Sequence, residues 1–292
     1  MTRRRDDRAK GNAKGGAKGV DGAGAQERPA AGRDARPQAE SRRRGRGDGR
    51  REKPSADKAL IWGFHSVREA LRSQRREAVR LFATAAAAER LAAEIAGKGL
   101  TPVLVEAEDI SRRLPPETVH QGLLLEARPL PSLDISDIPA AGVVLALDQV
   151  TDPHNVGAIL RTAAAFGLDA IVTTERHSPD LAGVLAKTAS GGLEHVPIVA
   201  VVNLARALDE LGEMGVLRVG LDSEGPASLE DTVLSRPLCL ALGAEGKGLR
   251  RLTRERCDVL ARLDMPGRIK SLNVSNACAV ALTLTRAKLA AG

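Results

Sequence analysis

Residues 264–277 read Asp-Met-Pro-Gly-Arg-Ile-Lys-Ser-Leu-Asn-Val-Ser-Asn-Ala, a polar stretch between two apolar runs. The run 259–263 before it predicts a short buried strand. The Pro-Gly pair inside it predicts a loop, because both residues interrupt regular structure. Asn273 and Ser275 predict the start of a helix that the apolar run 277–291 continues. An Asn or Ser that caps a helix explains these polar residues as well as a functional loop does, so the stretch alone leaves both interpretations open.

Strand-like and helix-like segments alternate upstream of this stretch and predict one α/β domain over residues 143–292. The predicted strands are 143–147, 169–173, 196–201, 216–221, 237–242 and 259–263. The predicted helices are 156–166, 180–189, 203–213, 249–256 and 274–289. Because strands such as 143–147 are apolar throughout, they predict a mostly parallel sheet with helices on both faces. The ligand site of such a sheet is expected at the carboxyl ends of its strands.

A smaller α/β unit is predicted over residues 58–128. Its strand-like runs are 60–63, 79–83, 103–105 and 123–125, and its helix-like runs are 65–72 and 85–96. Three prolines between residues 129 and 142 predict a linker from this unit to the larger domain. The smaller unit holds no cluster of catalytic residue types, so any chemistry is expected in the larger domain.

Residues 1–57 are predicted to be a disordered basic tail. They are rich in Gly, Ala and Arg and hold too little apolar surface to offset the entropy of ordering. Residues 1–56 contain 17 Lys and Arg and 8 Asp and Glu, a charge of +9, whereas the remainder of the chain carries −2. A solvated tail without function and an electrostatic tether to nucleic acid both fit this charge. The Arg-rich run 42–46 favours the tether.

Targeting and cysteine patterns indicate a cytoplasmic protein. The start of the chain is too polar for a secretory signal peptide, its acidic residues fit a transit peptide poorly, and no stretch predicts a membrane span. Cys239, Cys257 and Cys278 are far apart and form no CxxC pattern, which favours a reduced compartment and predicts no metal site. Aromatic residues make up only 1% of the chain, so RNA recognition is expected to rely little on base stacking.

Two further polar loops follow predicted strands. The first, residues 148–157, opens a helix that carries Arg161 within two turns of Asn155. These residues fit a helix cap and a surface cation, but their spacing also lets the guanidinium reach a phosphate near the loop. The second loop, residues 243–249, is rich in Gly, which lets backbone amides approach a ligand closely. A P-loop is disfavoured, because Gly248 stands where Ser or Thr is required.

The three loops together resemble the SpoU-type (TrmH-type) RNA 2′-O-methyltransferases of the SPOUT superfamily. The resemblance rests on Asp152-Pro153-x-Asn155-x-Gly157 with Arg161-Thr162-Ala163, on Gly243-Ala244-Glu245-Gly246 and on Ser271-Leu272-Asn273-Val274-Ser275. These motifs stand in the family's order across residues 143–289. The smaller unit is similar to the ribosomal-protein-like RNA-binding domain of two-domain members that methylate a guanosine of 23S ribosomal RNA. That similarity rests on Gly63-x-His65-x-Val67 and His120-Gln121-Gly122.

The resemblance implies a fold, a cofactor and a set of site residues. The implied fold is a larger domain threaded into a deep trefoil knot, which no sequence periodicity reveals. Family members are homodimers that pack through this domain, and the implied cofactor is S-adenosylmethionine. The implied cofactor-binding residues are Gly243, Leu263, Leu272, Asn273 and Ser275. The implied catalytic residues are Arg161, Asn155, Glu245, Ser271 and Asn273.

Two positions depart from the family pattern, and three functions remain to be weighed. Asp264 stands where the family usually has Pro, and Asn276 where a small apolar residue is commoner, so a changed cofactor loop is expected. The leading hypothesis is methylation of a ribose in 23S ribosomal RNA. Methylation of transfer RNA is the first alternative, and the two-unit organisation argues against it. A non-catalytic RNA-binding or ribosome-assembly protein is the second, and the retention of all three motifs argues against that.

Overall fold

The computed structural model describes residues 58–175 and 191–291, so the predicted tail 1–57 and the predicted helix 180–189 lie outside the described residues. The smaller unit consists of β1 (Ala59–Trp62), α1 (Phe64–Arg72), β2 (Ala78–Ala83), α2 (Ala85–Arg90), α3 (Ala92–Gly97), β3 (Val103–Leu104), α4 (Ala107–Arg113) and β4 (Leu123–Ala127). Its sheet has the order β1-β4-β2-β3. Strand β4 pairs antiparallel with β1 and β2, whereas β3 runs parallel to β2. The predicted small α/β unit is therefore present.

Helices cover both faces of this four-stranded sheet. Helices α1 and α3 lie on one face, where Val67, Leu81 and Ile95 are buried together. Helix α4, which the sequence analysis did not predict, buries Ile110 next to Trp62 on the other face. Two apolar clusters of this size give the unit a core of its own.

Two segments differ from the sequence prediction. The predicted helix 85–96 is divided at Leu91, whose backbone leaves the helical region (φ −115°, ψ 18°) while its side chain is buried. Residues 129–142 are predicted as a linker, yet they contain the 3₁₀ helix Ile135–Asp137. Within this segment Ile135 and Ile138 are buried against the larger sheet. The segment therefore covers part of that sheet and is not a free spacer.

The described part of the larger unit is built on seven strands. These are β5 (Val143–Asp148), β6 (Ala170–Thr174), β7 (Ile198–Val201), β8 (Leu217–Leu221), β9 (Ala227–Ser228), β10 (Leu238–Gly243) and β11 (Val259–Arg262). Their order is β7-β6-β5-β10-β8-β11-β9, and every pair is parallel. The helices are α5 (Pro153–Phe166), α6 (Leu204–Glu213), α7 (Arg251–Glu255) and α8 (Val274–Ala291). The predicted parallel sheet is confirmed, and only the short β9 was missed among the described strands.

The central strands are buried on both faces, which explains their continuous apolar sequences. On one face Leu145 and Leu240 pack with buried residues of α5 and α8. On the other face Val144 and Cys239 pack with α6. Successive residues of a strand point to opposite faces, so a strand that is covered on both faces buries all its side chains and needs apolar residues at every position. None of the described helices is long and apolar enough to cross a membrane.

Candidate functional site

The first two polar loops begin side by side at the carboxyl edge of the larger sheet. Strands β5 and β10 are parallel neighbours, and their register places Gly243 opposite Asp148. The carboxylate of Asp148 is buried and accepts hydrogen bonds from Arg250, at 2.9 Å from the backbone nitrogen and 2.6 Å from Nε. This ion pair ties the start of the first loop to the residue that follows the second loop.

The second loop is a tight turn that only a Gly at its start allows. A Cβ atom on Gly243 would lie 2.0 Å from the carbonyl carbon of Gly248 and 2.3 Å from the nitrogen of Leu249. The turn is closed by a hydrogen bond of 2.9 Å from the backbone nitrogen of Gly248 to the oxygen of Ala244. Gly248 itself has a positive φ of 62°, which glycine adopts without strain. The turn therefore holds Glu245, an exposed residue, out from the sheet.

All three loops meet at the start of helix α8. The Oδ1 atom of Asn273 accepts a hydrogen bond of 2.9 Å from the backbone nitrogen of Ser275, as a helix cap does. Its Nδ2 atom donates to Oδ1 of Asn155 in the first loop at 2.9 Å. The next residue, Val274, donates its backbone N–H to Oε1 of Glu245 in the second loop at 3.1 Å. Asn273 is thus a helix cap that also joins the loops, so the capping interpretation is confirmed and the functional interpretation stays a prediction.

Helix α5 begins earlier than the sequence predicts. Asp152 caps it by accepting a hydrogen bond of 3.0 Å from the nitrogen of His154, and Pro153 occupies the first turn. Asn155 therefore lies inside the first turn instead of capping the helix, and its side chain is available to bind Asn273. Arg161 lies farther along the same helix and is exposed, without a hydrogen bond or ion pair to any residue that the structure describes.

The third loop, between β11 and α8, is largely exposed. Leu272 is 42% exposed, which is unusual for a large apolar side chain, and Leu263 is partly buried. The carboxylate of Asp264, which departs from the family pattern, accepts a hydrogen bond of 2.8 Å from Nε of Arg262. Arg262 also donates to the backbone oxygens of residues 225 and 226, so Asp264 helps to hold a neighbouring loop.

The structure gathers part of the predicted site by direct contact. Asn155, Glu245 and Asn273 are connected to one another through the start of α8. Ser271 in the third loop has no side-chain hydrogen bond within the described ranges, and neither does Arg161 on α5, so neither residue is tied to the junction. The sequence analysis missed the pair of Asp148 and Arg250. A carboxylate that closes a fully apolar strand was the signal for it.

Both units of the chain match known families of RNA-modifying enzymes. The family described as SpoU rRNA methylase matches residues 142–283, and the family described as RNA 2′-O ribose methyltransferase substrate binding matches residues 60–133. The 23S rRNA (guanosine-2′-O-)-methyltransferase RlmB of Nitrosomonas europaea is 36% identical over 230 residues, which cover 76% of this chain and 88% of that protein. The chain belongs to the SpoU methyltransferase family. It is an RNA 2′-O-ribose methyltransferase.

Two other SpoU-related proteins extend the comparison. The RlmB protein of Pseudomonas aeruginosa is 46% identical over 174 residues, which cover 57% of this chain and 70% of that protein. The crystal structure of the SpoU methyltransferase AviRb from Streptomyces viridochromogenes, in complex with AdoMet, aligns with a TM-score of 0.68 at 22% identity. That alignment covers 80% of this chain and 91% of AviRb, and it shows a shared fold across both units.

Proposed function

We propose that this SpoU enzyme transfers the methyl group of S-adenosylmethionine to the ribose 2′-oxygen of a guanosine in 23S ribosomal RNA. The junction of Asn155, Glu245 and Asn273 carries this proposal, because it joins the three family motifs into one polar site. The choice of substrate is supported by the relatives from Nitrosomonas europaea and Pseudomonas aeruginosa, whose names state this reaction. The similarity to the Nitrosomonas europaea protein extends over both units of the chain, which argues for ribosomal RNA over transfer RNA.

The described residues fit S-adenosylmethionine at the three loops. The turn that begins at Gly243 has open space beside its backbone at Gly246 and Gly248, which lets a ligand approach that backbone closely. The exposed Leu272 and the partly buried Leu263 offer apolar surface for an adenine ring. We assign the cofactor to Gly243, Leu263 and Leu272 together with Asn273 and Ser275, which shape the start of α8. When bound, the cofactor supplies an electrophilic methyl group on a sulfonium.

The ribose 2′-hydroxyl is a poor nucleophile, so the protein must orient it and favour the loss of its proton. We assign Arg161 to this task. A guanidinium keeps its proton, so Arg161 does not act as a base. It holds the nucleotide and stabilises the negative charge that develops on the 2′-oxygen, and the proton of the 2′-hydroxyl passes to solvent. The relative positions of the three loops are fixed by Asn155, Glu245 and Asn273. We assign Ser271 to contact the nucleotide from the third loop.

Further properties of the SpoU family extend the proposal. We propose that the larger domain is knotted, that two copies pair through it, and that the enzyme works in the cytoplasm on RNA. We also propose the domain bounds given above and a tether role for residues 1–57, which the charge of +9 on residues 1–56 supports.

The test is to map ribose methylation in ribosomal and transfer RNA from a strain that lacks this gene. Restoring the gene should restore one 2′-O-methylguanosine in 23S ribosomal RNA. An Arg161→Ala gene should not, because deleting one electrostatic stabiliser lowers the chemical step by about 10²-fold. Arg206→Ala is the matched control, since Arg206 is exposed on α6 and, among the described residues, its side chain forms an ion pair with its helix neighbour Glu210 alone.

Each alternative has its own outcome in this experiment. A methyl group missing from transfer RNA alone would move the substrate assignment to the first alternative. Unchanged methylation in all RNA, together with no binding of S-adenosylmethionine by the purified protein, would leave the non-catalytic function. If Arg161→Ala loses cofactor affinity but keeps its rate at saturation, the role given to Arg161 is wrong.

A further inference from the structure

A buried ion pair connects the smaller unit to the larger one. Arg76 lies between α1 and β2, and Glu194 lies in the 3₁₀ helix Gly192–Glu194 that precedes β7. The Nε and Nη2 atoms of Arg76 donate to Oε1 of Glu194 at 3.0 and 2.8 Å, and both side chains are at most 5% exposed. The Nη1 atom of Arg76 donates to the backbone oxygen of Arg128 at 2.9 Å, where the smaller unit passes into the segment 129–142.

The residues next to Glu194 lie between helices of the two units. A Cβ atom on Gly191 would be 2.5 Å from Cβ of Glu69, which belongs to α1. A Cβ atom on Gly192 would be 3.0 Å from the backbone oxygen of Leu160, which belongs to α5. On the same side, Nε2 of His195 lies 3.1 Å from a carboxylate oxygen of Glu69. Residues 191–195 therefore fill the space between α1 and α5 without room for a side chain at either glycine.

The chemistry of this pair suits orientation better than stability. Two guanidinium nitrogens of Arg76 donate to the same oxygen, Oε1 of Glu194, and Nε also lies 3.3 Å from Oε2, so the contact fixes direction as well as distance. A buried ion pair adds little net stability compared with apolar side chains of the same size, because both charges lose their hydration. Removal of one partner is costly, since the other charge is then buried without a counterion. A pair of this kind is useful where the relative position of two parts has to be unique.

We propose that Arg76 and Glu194 are positioning residues for methyl transfer. They form a latch, defined here as these two side chains, that holds the RNA-binding unit in one orientation relative to the catalytic loops. Gly192, two residues before Glu194, packs against Leu160, which precedes Arg161 on α5. The latch therefore fixes the position of the bound RNA relative to Arg161, the residue assigned to orient the ribose. The role in methyl transfer rests on the proposed function, whereas the latch itself does not.

The first measurement needs no substrate. Spin labels on Ala93→Cys in α3 and Glu213→Cys in α6 report the distance between the units by electron–electron double resonance. Both positions are exposed, and burial raises the pKa of the native Cys257 and Cys278 thiols to about 12, so the label reacts with the introduced cysteines. With Arg76 and Glu194 intact, labelled chains mixed with an excess of unlabelled chains, so that a pair of copies carries labels on one copy, should give one narrow distance distribution. Arg76→Glu should give a broad one, and the exchange Arg76→Glu with Glu194→Arg should narrow it again.

The second measurement follows methyl transfer to 23S ribosomal RNA. Arg76→Glu should lower kcat/KM by about 10–100-fold, the loss expected when reacting groups are misplaced by about 1 Å. Binding of S-adenosylmethionine should stay within about twofold of wild type, because the latch lies outside the three loops. The exchanged pair should recover much of the loss. The control is Arg206→Glu, which reverses one charge of the exposed pair Arg206–Glu210. It should change neither the distance distribution nor kcat/KM.

An apolar variant separates orientation from folding. The double substitution Arg76→Met with Glu194→Leu keeps the packing without leaving a buried charge, so it should fold and bind cofactor while its distance distribution broadens. A wild-type distribution and wild-type kcat/KM in this variant would overturn the proposal. So would a narrow distribution in Arg76→Glu. If the wild-type enzyme does not methylate 23S ribosomal RNA, the proposed function fails, but the distance measurement still decides whether the latch exists.

Discussion

Replacement of Gly243 by Ala should damage the site more than its single methyl group suggests. The new Cβ atom would lie 2.0 Å from the carbonyl carbon of Gly248, whereas ordinary contact begins at 3.4 Å, so the backbone has to move by about 1.4 Å. The atoms it meets are backbone atoms of Gly248 and Leu249, which cannot rotate away as a side chain would. Overpacking of this kind costs about 3 kcal/mol, the upper end of the usual range. The Tm should therefore fall by about 6–12 °C.

The same movement should weaken cofactor binding. Glu245 lies two residues after Gly243, and its hydrogen bond to the nitrogen of Val274 anchors the start of α8. Loss of a hydrogen bond to a charged group costs about 1.5–3 kcal/mol, which corresponds to roughly a tenfold or larger loss of affinity when the bond shapes the site. Calorimetric titration with S-adenosylmethionine and thermal unfolding measure the two effects on one protein preparation.

Two other glycines provide matched controls for this experiment. Gly267 in the third loop has open space around its Cβ position and no positive φ, so Gly267→Ala should change the Tm by less than the equivalent of about 0.5 kcal/mol. Gly246 also has open space but a φ of 72°, so Gly246→Ala should cost about 1–2 kcal/mol from backbone strain alone. If Gly243→Ala melts and binds cofactor like Gly267→Ala, the steric argument for this turn is wrong.

Three other substitutions test separate parts of the molecule. Asn273→Ala should lower the free energy of unfolding by about 1 kcal/mol, because the helix cap is lost. It should also abolish most methyl transfer in a single-turnover assay, and a wild-type rate would remove Asn273 from the site. Asp148→Ala should destabilise the enzyme by about 2 kcal/mol in thermal unfolding, because the backbone N–H of Arg250 loses its charged acceptor; Asp148→Asn should cost less. Deletion of residues 1–56 should flatten the plot of log RNA affinity against log salt by about 0.7–0.9 for each lost phosphate contact, in filter binding. An identical salt slope for both forms would show that the tail does not bind RNA.

Local sequence pattern predicted most of the described elements of this protein, although it missed α4 and β9 and did not divide the helix 85–96. The apolar run 143–147 predicts a strand buried on both faces, and β5 packs into both cores. The order of strands and polar loops placed three loops at the carboxyl edge of one sheet, and the family resemblance named the residues on them. The predictions of strands and loops succeed because an apolar run that favours a buried strand, and a Pro or Gly that breaks regular structure, are each recognisable within a few residues of sequence.

The contacts that make the loops into one site were decided by tertiary structure. Asn155 and Asn273 are 118 residues apart, and so are Arg76 and Glu194; Asp148 and Arg250 are 102 apart. No periodicity of 2 or 3.6 residues carries information on which distant polar side chains will meet.

The start of α5 shows the same limit on a smaller scale. The sequence analysis offered Asn155 as the helix cap, because Asn favours that position. The structure selects Asp152, and this choice turns Asn155 toward Asn273. A side chain can satisfy only a few hydrogen-bond partners, so the arrangement of the whole sheet determines which of the local possibilities is realised.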